Sequence, residues 1–65
     1  MEKALDICKE YCEEIQVEGN CIKILIQKKY ALDLCMRLNH LRLFLTEKKE
    51  NHFMVLLTFC FLPGL

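Results

Sequence analysis

Five cysteines (Cys8, Cys12, Cys21, Cys35, Cys60) and two histidines (His40, His52) are the side chains of this 65-residue chain best suited to holding a metal or acting as nucleophiles. Cys8 and Cys12 stand one helical turn apart, a spacing that could present two thiolates to one ion. A tetrahedral zinc site would then need Cys21, Cys35, His40 or His52 to complete it, and such sites usually draw their ligands in closely spaced pairs. Cys8–Cys12 is the only pair of that kind. The same spacing puts both thiols on one apolar face with Leu5 and Ile15, where free cysteine commonly sits as a small hydrophobe. No metal is expected. Nucleophilic catalysis would need Cys35 beside a base, but His40 falls on a different side of the same predicted helix. Gly19 and Gly64 are the only glycines, so no glycine-rich phosphate loop exists. The expectation is a protein without catalytic residues or cofactor.

Composition narrows the partners. Nine basic and nine acidic residues cancel, so there is no electrostatic footprint for nucleic acid. A chain this short buries only about 60% of its unfolded surface, which leaves it marginal without a staple or a partner. Its apolar content of 54% is above the usual share, which favours a partner protein, weak contact with a membrane surface, or self-association. Met1-Glu2-Lys3 opens a charged helix rather than a secretion signal, and the cysteine count is odd. All five thiols are therefore expected reduced, in a cytoplasmic protein.

The elements that must position these residues read as helices. Lys3–Glu18 places Ala4, Leu5, Cys8, Tyr11, Cys12 and Ile15 on one face, although Glu13, Glu14 and Glu18 carry the wrong sign for a helix C-terminus. Gly19-Asn20 is a clear stop. Cys21–Ile26 alternates like a strand, yet a lone short strand has no visible partner, so a single helix from about Cys21 to Thr46 is predicted. Within it Ala31, Leu34, Leu38, Leu41 and Leu45 form one apolar line, and Leu32, Met36 and Leu43 form a second. Glu47–His52 is a hydrophilic connection in which Asn51 could cap the next element. Phe53–Leu62 is apolar apart from Thr58 and too short for a bilayer-spanning helix, which takes about 20 residues. Pattern alone leaves it open between helix and strand.

Ala4-Leu5-Asp6-Ile7-Cys8 returns as Ala31-Leu32-Asp33-Leu34-Cys35, 27 residues later, with four of five positions identical. These segments resemble α-solenoid helical repeats of vesicle-coat, intraflagellar-transport and tetratricopeptide proteins. The resemblance covers Lys3–Leu45 at most, lacks the tetratricopeptide Trp and Pro landmarks, and implies a scaffold of stacked helices. A solenoid needs about three repeats, so this chain would be a fragment or truncated isoform of one.

The reading is thus an all-α fold: a small antiparallel helical hairpin over residues 1–46, or a three-helix arrangement, with a polar linker (47–52) and an apolar C-terminal segment (53–65). The expected function is a non-enzymatic protein-interaction module or a fragment of a helical-repeat scaffold. Its partner, another protein, would bind an exposed apolar surface of Leu34, Leu38, Leu41, Leu45, Phe53, Leu56 and Phe59. The alternatives are a membrane-associated micropeptide with an interfacial tail, and a non-functional truncated product.

Overall fold

The structure, a computed structural model, describes residues 2–61. Six elements follow one another: α1 (Glu2–Tyr11), β1 (Cys12–Glu18), β2 (Cys21–Gln27), α2 (Lys28–His40), β3 (Leu43–Glu50) and β4 (Met54–Phe61). The strands form one antiparallel sheet in the order β1-β2-β4-β3. Half of the described residues are strand, which overturns the all-α expectation, the helical hairpin and the three-helix arrangement alike. It also overturns the α-solenoid resemblance, because each helix is followed by a strand hairpin rather than by another helix.

Each correction has a local cause. The first helix stops at Tyr11, and from Cys12 the chain alternates. Cys12, Ile15 and Val17 pair with the buried-face residues Ile26, Ile24 and Ile22, while Glu14, Gln16 and Glu18 point away. The acids that would have crowded a helix C-terminus instead line the outer side of an edge strand. Gly19-Asn20 is a two-residue turn between strands, with Gly19 at φ 59°, a left-handed conformation that glycine takes without steric cost. The long predicted helix breaks at His40. Leu41 and Arg42 close it by donating backbone N–H bonds to the carbonyls of Leu38 and Asn39 (both 3.0 Å), and Arg42 takes φ 65° to turn the chain into β3. The supposed linker lies largely within β3, and Asn51 ends it: its Oδ1 accepts N–H bonds from Phe53 (3.2 Å) and Met54 (2.9 Å), closing the β3–β4 hairpin.

The apolar C-terminal run is the second central strand. Val55, Leu57 and Phe59 face Ile26, Ile24 and Ile22 across the β2–β4 ladder, and all six are buried. Ala4 and Cys8 from α1, Leu34 and Leu38 from α2, and Leu43 complete the core on that side. Both helices therefore cover one face of the sheet. Burying each Ile, Leu or Phe is worth about 1.5–3 kcal/mol, so the two central strands supply most of what holds this small domain together. Residues 62–65, Pro63-Gly64 among them, lie outside the described residues.

A repeat is present, but not at the 27-residue spacing of the sequence echo. The β1–β2 register of Cys12↔Ile26, Glu14↔Leu25 and Ile15↔Ile24 recurs as Leu45↔Phe59, Glu47↔Thr58 and Lys48↔Leu57, each residue 33 positions later. Even the irregularity between Cys12 and Glu14 recurs between Leu45 and Glu47. The chain is two helix–strand–strand units related by a topological two-fold through the Ile24–Leu57 pair. The helices keep a different offset: Ala4 and Cys8 are buried in α1, whereas Leu34 and Leu38, 30 residues on, are buried in α2. The echoing Ala31 and Cys35 only flank the core.

The thiol expectation is also corrected. Cys21 and Cys60 form a disulfide between β2 and β4, on the sheet face away from the helices, and Cys8, Cys12 and Cys35 are free.

Candidate interaction groove

The helices cover the sheet unevenly. Beyond Leu43 the helix-facing side of β3 carries Leu45, Lys48 and Glu50, all of them exposed. The result is a groove of about 490 Å³ between α2 and the β3–β4 hairpin, walled by Leu32 and Cys35 from the helix and by Leu45 and Val55 from the sheet. Leu32 is 75% exposed, Met36 one turn further along α2 is 58% exposed, and Leu45 across the groove is 42% exposed. Leaving large aliphatic side chains in water forfeits the burial free energy that they would gain under a ligand.

One end of this groove is charged. Glu50 lies 3.5 Å from the Lys48 Nζ and 4.0 Å from the Lys28 Nζ, so two cations share one carboxylate. Burial pushes the Cys35 thiol up, and the nearby Lys48 ammonium partly opposes that. Cys35 is therefore a protonated, weakly polar part of the wall at neutral pH rather than a thiolate nucleophile.

The surface expected from sequence is taken apart by the fold. Leu34, Leu38 and Phe59 are core residues with no exposure, and Leu41 is partly buried against them. Leu45 faces the groove, Leu56 lies on the opposite face of the sheet, and Phe53 stands 80% exposed at the β3–β4 turn. Only Leu45 belongs to the groove. The residue missed is Leu32, although its place off the main leucine line was the available signal.

The remaining polar chemistry is structural. Tyr11 Oη donates to Asp33 Oδ2 (3.0 Å) and Arg37 Nε donates to the same oxygen (3.2 Å), while the guanidinium lies 5.6 Å from the Tyr11 ring centroid. This clasp ties the end of α1 to α2 at the surface. The hydrogen bond to Asp33 holds the Tyr11 phenol above its ordinary range, and the charges of Tyr11 and Asp33 do the same for Arg37. Cys8 and Cys12 share a hydrogen bond across the α1–β1 junction, which lowers the buried Cys8 and pushes Cys12 up. Among the described residues no three His, Cys, Asp or Glu side chains converge as a metal site, and no helix is long and apolar enough to cross a membrane. No protein-family model matches this chain. No curated protein and no solved structure matches it either, so the groove's geometry has to carry any functional reading.

Proposed function

We propose that this protein is a non-enzymatic interaction module that binds a short segment of another protein in the groove between α2 and β3. The observation that carries the reading is the convergence of Leu32 and Leu45, two exposed leucines, on one concave surface walled also by Cys35 and Val55. The occupant has apolar side chains to seat on Leu32, Cys35 and Leu45. It also has a carboxylate to meet Lys28 and Lys48, because Glu50 balances only one of those two charges. We place this activity in the cytoplasm: the free thiols Cys8, Cys12 and Cys35 support that compartment, and the Cys21–Cys60 bridge opposes it. A count of free thiols on the protein trapped from cells tests the placement.

A displayed library of random peptides tests the binding. The expected result is enrichment of sequences that combine at least two large apolar residues with Asp or Glu, and loss of their binding in Leu32→Glu. Leu32 is too exposed for that substitution to disturb the core. No enrichment, or enrichment that survives both Leu32→Glu and Leu45→Glu, would overturn the reading.

A further inference from the structure

The helices cover one face of the sheet and leave the other bare. On a one-sided antiparallel sheet the outward positions should be polar. Here the central strands present Leu25, Met54, Leu56 and the Cys21–Cys60 bridge outward, with Leu56 38% exposed. The register lines up one complete row across this face. Glu14 pairs with Leu25, Leu25 with Leu56, and Leu56 with Lys49, so the row reads acid, leucine, leucine, base from one edge to the other.

From this row we infer that the bare face binds a second copy of the chain, face to face, about a two-fold axis parallel to the strands. Such an axis keeps each row at its own level and reverses its order. Leu25 of one copy then lies over Leu56 of the other, and Leu56 over Leu25, which buries all four leucines together. Glu14 meets the second copy's Lys49 at one edge, and Lys49 meets its Glu14 at the other. Among the described residues neither Glu14 nor Lys49 forms an ion pair within the chain, whereas the outward Lys23 is already engaged with Glu18 at 4.0 Å. Glu47, the other outward acid of β3, comes to lie opposite the uncharged Gln16. The alternative two-fold, across the strands and centred on Gln16, would lay β1 on β1 and set Glu14 of each copy against Glu18 of the other. Like charges select the first arrangement.

Size fits a weak, reversible dimer. Four strands about 4.8 Å apart and seven residues long, at about 3.3 Å each, give a flat area of roughly 450 Å² per copy. Two copies cover about 900 Å² before the relief of the side chains is added, close to the roughly 1,000 Å² of a weak specific interface. The chain's zero net charge sets up no general repulsion against the approach. The dimer uses the opposite side of the sheet from the α2–β3 groove and does not depend on it.

Sedimentation equilibrium on the full chain, with the disulfide intact, tests the inference. The expected result is a reversible monomer–dimer equilibrium with a dissociation constant of about 10–100 μM. Lys49→Glu should weaken it at least about tenfold by opposing two glutamates, and the exchange Glu14→Lys with Lys49→Glu should bring it back to within about threefold of the original. Circular dichroism checks that all three proteins keep the same fold. A chain that stays monomeric at about 1 mM would overturn the inference. So would a dimer indifferent to Lys49→Glu, or one that the double exchange fails to restore.

Discussion

Ile24 and Leu57 face each other at the centre of the sheet, and they are also equivalent to each other: the 33-residue offset that relates β1–β2 to β3–β4 carries one onto the other. The pair stands where the two halves of the chain meet, with both side chains buried. Truncating either removes packing from both halves at once. Ile24→Ala and Leu57→Ala should each cost about 2–5 kcal/mol, and Ile24→Val about 0.5–1.5 kcal/mol. Because the two side chains share one site, the double alanine variant should lose less than the sum of the single losses. Urea denaturation of the four variants and the unsubstituted chain measures this.

The Cys21–Cys60 bridge spans a sequence separation of 39 residues and joins the first half of the chain to the second. Closing a loop of that size removes chain entropy from the unfolded state worth about 3–4 kcal/mol. For a domain this small that is a large part of the total. Cys60→Ser, or reduction of the native protein, should lower the urea midpoint sharply, and the reduced and serine-substituted proteins should behave alike.

The clasp between Tyr11, Asp33 and Arg37 can be read by titration. Asp33 holds the Tyr11 phenol protonated by accepting its hydrogen bond, so Tyr11 should ionise above the usual value of about 10, by ultraviolet difference absorbance. Asp33→Asn should bring Tyr11 down towards that value.

Thiol ionisation should make stability fall in alkali. Cys12 is pushed up by its hydrogen bond with Cys8, and Cys35 by burial, so the folded state keeps these protons after the unfolded chain has released them. Their contribution is complete below the unfolded thiol value of about 8.5 and is lost as pH rises beyond it. Cys8, lowered by the same hydrogen bond, changes stability only below the unfolded thiol value and leaves the slope above it unaltered. The urea midpoint should decline from about pH 8.5 to pH 10, and the decline should be smaller in the Cys12→Ser, Cys35→Ser double variant.

Much of this fold was written locally but could not be read locally. Ile22, Ile24 and Ile26 alternate as a strand should, but a short strand needs a partner that its own segment does not show. That partner is Val55, Leu57 and Phe59, in a run whose uniform apolarity hides its period. Each segment was ambiguous alone, and pairing resolves both together. The leucines misled for a related reason. Leu38, Leu41 and Leu45 keep helical phase, but Leu41, Leu43 and Leu45 are equally spaced for a strand, and the chain changes from one period to the other at Arg42. At the groove, sequence picked out Leu45 but not Leu32. The exposure of Leu32 depends on where β3 runs relative to α2, which no single element encodes.

The placement of β4 is the claim on which the rest depends, and cutting the chain after Phe53 tests it directly. As a central strand, β4 supplies Val55, Leu57 and Phe59 to the core, pairs on both sides, and holds one end of the disulfide. Residues 1–53 alone should therefore be unfolded, with a disordered far-ultraviolet circular dichroism spectrum and no cooperative urea transition. A soluble 1–53 chain with a strong helical spectrum and a cooperative transition would contradict the account.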